Sequence, residues 1–177
     1  MRIDDGTGSG RQAKVNSEFQ LGTFSVVETE FLSVNVNDEK AFVWDFPAYD
    51  YDAGDTVMWL RNDSELNLHI HHVYIYSDTA TVLEVHRPIN VTPAGTAIVD
   101  GNINFTSGVT AEGTAYQDET VGVKGTVLKT EYLAANSPIT LFKEEGYEII
   151  LGKNDIIAID LTTTGTSTFG HIVGFYK

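Results

Sequence analysis

The chain has 177 residues, no cysteine, and a net charge of −14 from 25 acidic and 11 basic side chains. That length is one ordinary domain, able to bury a core without crosslinks. The missing thiols exclude disulfides, thiolate metal sites and cysteine nucleophiles. The acidic excess argues against nucleic acid and against an anionic membrane surface as partners, because both attract basic proteins.

The opening M-R-I-D-D-G-T-G-S-G is polar and lacks the apolar stretch of a secretory signal. No run approaches the roughly 18 apolar residues of a membrane span. The absence of cysteine is compatible with a reducing cytoplasm. Residues 1–20 hold few large apolar side chains and read as an N-terminal arm. G-T-G-S-G is not read as a phosphate loop, since no strand precedes it and no helical pattern follows. Residues 21–177 read as a single β domain.

In chain order, the segments rich in β-branched and aromatic residues are 23–27, 41–46, 56–60, 68–76, 81–86, 96–99, 103–105, 139–142, 147–151, 155–161 and 169–176. E-T-E-F-L (28–32) fits one short helical turn. The stretch 106–137 is polar and rich in Gly and Thr, and its strands are not legible. Many short strands and no long helical period predict an all-β fold: an antiparallel sandwich of jelly-roll type, with a closed barrel as the alternative. Sequons occur at Asn62, Asn90 and Asn104 and read as loop composition.

Three of the five histidines, His69, His71 and His72, fall within L-N-L-H-I-H-H-V-Y-I-Y (66–76). S-D-T-A (77–80) reads as a hairpin turn to the next strand, setting His71 opposite His86. Strict alternation puts Leu66, Leu68, Ile70, His72, Tyr74 and Tyr76 on the core face. The wetter face then carries His69, His71, Val73, Ile75 and His86, with Glu84 beside them. Imidazoles so grouped suit a transition metal. H-x-H resembles the first cupin motif, but Ile75 and Tyr76 stand where that motif has Glu, and His171 does not complete the second. The preferred reading assigns no metal or cofactor and treats His69, His71, Val73, Ile75 and His86 as a subunit-contact patch.

Asp50, Asp52 and Asp55 surround a glycine, but Arg61 stands where a calcium loop needs its last Glu, so a turn is expected. Trp44, Trp59, Tyr49 and Tyr51 are candidates for a sugar platform or for core. No nucleophile elbow or phosphate loop is present, and no enzyme is nominated.

Three segments together carry a resemblance. They are D-G-T-G-S-G-R-Q-A-K-V-N-S-E-F-Q-L with T-F-S-V-V-E-T-E, the central T-V-L-E-V-H-R-P-I-N … G-N-I-N-F-T-S-G, and the closing L-G-K-N-D-I-I-A-I-D-L-T-T-T-G-T-S-T-F-G-H-I-V-G-F-Y-K. They resemble small virion proteins of tailed bacteriophages, especially marine ones, over most of the chain. The resemblance implies a structural protein that decorates or cements the outside of a capsid. Its partner would be the major capsid protein, its state a homotrimer, and its place the virion surface. Arg2, Arg11 and Lys14 of the arm would then contact an acidic lattice. The alternatives are a tail or head-fibre receptor-binding module, a cupin-like metal enzyme, and a carbohydrate-binding module.

Overall fold

A computed structural model describes residues 3–4, 12–13, 30–88, 95–117, 125–142 and 149–177, with backbone only at 3–4, 12–13, 165 and 166. The arm residues Arg2, Arg11 and Lys14, the segment 23–27 and Asn90 lie outside the described residues. Of the arm, β1 (Ile3–Asp4) pairs antiparallel with β2 (Gln12–Ala13). A short helix, α1 (Glu30–Ser33), runs into a π-helical turn at Val34–Asp38.

The strands that follow are β3 (Ala41–Tyr51), β4 (Thr56–Asn62), β5 (Leu68–Ser77), β6 (Thr81–Arg87), β7 (Thr96–Ile98) and β8 (Asp100–Asn102). After these come β9 (Gly113–Gln117), β10 (Thr126–Leu133), β11 (Ile139–Leu141), β12 (Ile149–Leu151), β13 (Ile156–Leu161) and β14 (Gly165–Tyr176). The first sheet has the order β10-β6-β13-β4-β9-β7. The second has the order β11-β5-β14-β3-β8, with β12 also on β5. All pairings are antiparallel.

From β3 to β6 each strand changes sheet. The chain then returns, placing β13 between β4 and β6, and β14 between β3 and β5. Two interlocked Greek keys of this kind make a jelly roll, the predicted architecture. This connectivity overturns the hairpin expected at 77–80. Strand β5 pairs with β14, β11 and β12, whereas β6 pairs with β10 and β13, so the S-D-T-A turn is a corner between sheets. A four-residue turn signal looks the same in both settings. The segment 103–105 is a turn rather than a strand, and the neighbouring strand is β8.

The main core lies between the sheets. Phe42, Trp44, Phe46, Leu68, Ile70, Val73, Ile75, Ile172 and Tyr176 meet Val57, Met58, Leu60, Leu83, Val85, Ile157, Ile159 and Leu161. A smaller cluster sits on the outer side of the second sheet. There Phe31 and Val34 cover Ala41 and Phe175, beside Ile103.

Candidate functional site

The histidine strand departs from simple alternation. Opposite β14, Val173 pairs with His72 and Gly174 with Ile70, so His71 is the extra residue of a bulge. Beyond it the inward phase shifts by one. Leu68 and Ile70 point inward as expected, but then Val73 and Ile75 are fully buried, while His72, Tyr74 and Tyr76 lie outward and half-buried. The core face expected from Leu66 to Tyr76 therefore holds only at Leu68 and Ile70, and Leu66 is exposed.

The subunit-contact patch of His69, His71, Val73, Ile75 and His86 is not one surface. His69 and His71 share the outer face of the second sheet. Val73 and Ile75 are core. His86 is fully buried in the first sheet, with Nε2 at 2.9 Å from Asp160 Oδ2. The three histidines considered for a metal are split between sheets. Among the described residues no three His, Asp or Glu side chains are grouped to hold a metal ion.

What the fold does assemble is a run of rings on the outer face of β5 and β14. His69 stacks on Phe175, with centroids 5.0 Å apart. Phe31, brought over by α1, stacks on His71 at 4.4 Å and meets Phe175 edge-on. His71 touches His72, and His72 meets His171 edge-on at 5.5 Å. His171 lies flat on Tyr74 at 5.1 Å and 9°. At the far end Tyr76 stacks on Phe169, and its hydroxyl donates to Asn136 Oδ1. Asp45 is the cross-strand neighbour of His171 on β3. Four of the five histidines thus share one sheet face, and none of His71, His72 and His171 is fully buried.

Such a face can bind by stacking and by imidazole hydrogen bonds. It offers broad, rigid contact area at small conformational cost. His72, His171, Tyr74 and Phe169 were missed in the sequence because β14 lies about a hundred residues from β5, and because the bulge inverts the outward set. The bulge itself leaves a trace. The inward residues 68, 70, 73 and 75 are spaced two, three and two apart.

The other constellations are structural. Asp52 N–H donates to Asp55 Oδ2 at 3.1 Å in the β3–β4 turn, where Gly54 takes a φ of 93°. Trp44 and Trp59 are fully buried, which removes them as a sugar platform. Asn62 is buried, and its amide donates to the Leu66 and Leu151 carbonyls, so it is no glycan acceptor in the folded chain.

A second feature lies at one end of the sandwich. Lys40, Phe42, Ser64, Leu66, Val109 and Tyr176 line a shallow apolar cleft of about 50 Å³. Burial, then the nearby Asp100, Asp63 and Glu112 carboxylates, push the Tyr176 phenol well above its ordinary range. No helix of the described residues is long and apolar enough to cross a membrane. The chain matches no protein family, no curated protein and no solved structure.

Proposed function

We propose that this protein is a structural component of a tailed-phage virion, binding the outside of the capsid through its major capsid protein and stabilising or decorating the shell. It acts by contact and not by catalysis. The observation that carries the reading is the outer face of β5 and β14. A solvent-facing sheet face ordinarily alternates to polar residues, yet here it presents stacked Tyr, Phe and His rings around His72, His171 and Tyr74. That is the composition of a protein contact surface, rich in aromatics and poor in charge.

The jelly roll supports the reading as a scaffold that recurs in capsid proteins, though it also occurs in lectins and cupins, and fold alone assigns no function. The three segments that resemble phage virion proteins supply the phage context. The cupin-like alternative loses its candidate ligands, because His86 sits in the other sheet. The carbohydrate-binding alternative loses Trp44 and Trp59 to the core.

Peptide mass spectrometry of purified particles from a phage encoding this chain tests the assignment. Peptides of the chain should track the shell protein at a fixed ratio across a density gradient. Their confinement to the soluble lysate would overturn it.

A further inference from the structure

The free backbone groups of a sheet edge invite another strand, and proteins commonly keep edges short. Here β7, β8, β11 and β12 are edge strands of three residues each. Strand β10 is different. It ends the first sheet with eight residues, and among the described residues no strand pairs with its far side. It contains no proline, and it exposes Leu128 and Tyr132 at 52% and 66%.

The segment L-K-T-E-Y (128–132) is self-complementary about its centre, Thr130. An antiparallel second copy, related by a two-fold axis at Thr130, sets Lys129 opposite the other Glu131, with the exposed Leu128 and the other Tyr132 near one another at each end. Symmetry makes each contact twice. Lys129 and Glu131 already lie 3.0 Å apart along the strand, with about a third of each side chain exposed. Pairing would turn two such ion pairs into one alternating four-charge cluster. Leu128 is the extra residue of a bulge against β6, so regular pairing begins at Lys129 and the bulge bounds the contact at each end. Shifting the centre by one residue, to Lys129 or Glu131, would set like charges together, so the charges disfavour the neighbouring registers.

We propose that β10 joins a second copy of this chain edge to edge about Thr130, giving one sheet continuous across a two-fold axis. The product is a dimer, in contrast to the trimer that the phage resemblance implies. The proposal concerns the isolated chain and stands or falls apart from the virion reading.

Native mass spectrometry with equilibrium sedimentation of the full chain tests it. The wild type should be a dimer. Lys129→Glu and Glu131→Lys should each weaken dimerisation by about tenfold or more, since each places like charges opposite one another. Mixing the two single variants should give a mixed dimer, and the double exchange Lys129→Glu with Glu131→Lys should restore the homodimer. Unchanged thermal melting of the single variants would show that folding is retained. A wild-type monomer at roughly 100 μM, which would put the dissociation constant well above that concentration, would overturn the proposal. So would a trimer, or single variants that dimerise like the wild type.

Discussion

His86 Nε2 and Asp160 Oδ2 lie 2.9 Å apart with no exposed surface on either side chain. The pair is a close polar contact sealed inside the sheet. Thr56 Oγ1 donates to the other carboxylate oxygen at 2.7 Å. These residues come from neighbouring strands β6, β13 and β4, and they tie the centre of the first sheet together. Ala158, paired with both Trp59 and His86, lies on the same face.

Removing either member takes a polar partner from the other inside the sheet, although Asp160 keeps the bond from Thr56. Asp160→Ala and His86→Ala should each lower stability by about 1–3 kcal/mol, measured as urea-unfolding free energies. The double variant should lose less than the sum of the two. Additive losses, or single losses below about 1 kcal/mol, would show that the contact contributes little.

Gly170 lets β14 pass under the opposite sheet. A methyl there would lie 2.1 Å from the Tyr74 carbonyl oxygen and 2.4 Å from Met58 Cε. The methionine end can move, but the β5 backbone cannot without breaking its ladder. Gly170→Ala should therefore cost about 3 kcal/mol and lower the melting temperature by several degrees. An unchanged melting temperature would mean that β14 is not held this tightly.

Tyr176 predicts an alkaline limit. Its hydroxyl is buried and has no hydrogen-bond partner among the described residues, and its pKa is raised by burial and by Asp100, Asp63 and Glu112. A folded pKa above the unfolded one gives stability that is complete below the ordinary phenol pKa of about 10 and is lost as pH climbs beyond it. Tyr176→Phe should remove that loss and shift neutral-pH stability by no more than about 1 kcal/mol. Denaturation followed against pH checks both. An equal alkaline decline in the variant would assign the effect to other groups.

The outer face and the core predict opposite behaviours within one strand. Val73→Asp and Ile75→Asp bury an unpaired carboxylate and should prevent folding, seen as loss of the cooperative melt. His171→Ala and Tyr74→Ala, at half-buried outward positions, should change stability by about 1 kcal/mol or less. They should nonetheless reduce co-sedimentation with phage shells lacking the protein. Wild-type co-sedimentation by both would remove this face from the contact.

The fold class was legible because Val, Ile, Tyr and Phe cluster in short runs between turn residues, as in T-V-M-W-L and D-I-I-A-I-D-L. Pairing was not legible. A jelly roll joins strands far apart in sequence, so S-D-T-A looked like a hairpin when it turns a corner between sheets. Site errors followed from two local causes. One extra residue, His71, reversed the outward set after Ile70, sending Val73 and Ile75 inward. His86 was placed by the wrong strand partner, although its own strand was read correctly. Strand β10 was hidden because its edge position leaves it polar, and little apolar alternation survives in T-V-L-K-T-E-Y.

The most direct test of the virion assignment is a cryo-electron microscopy map of intact particles of a phage encoding this chain. The account predicts the jelly roll on the outer shell, with the His72, Tyr74 and His171 face of β5 and β14 turned toward the major capsid protein. A shell without the domain, or a domain docked with that face open to solvent, would contradict it.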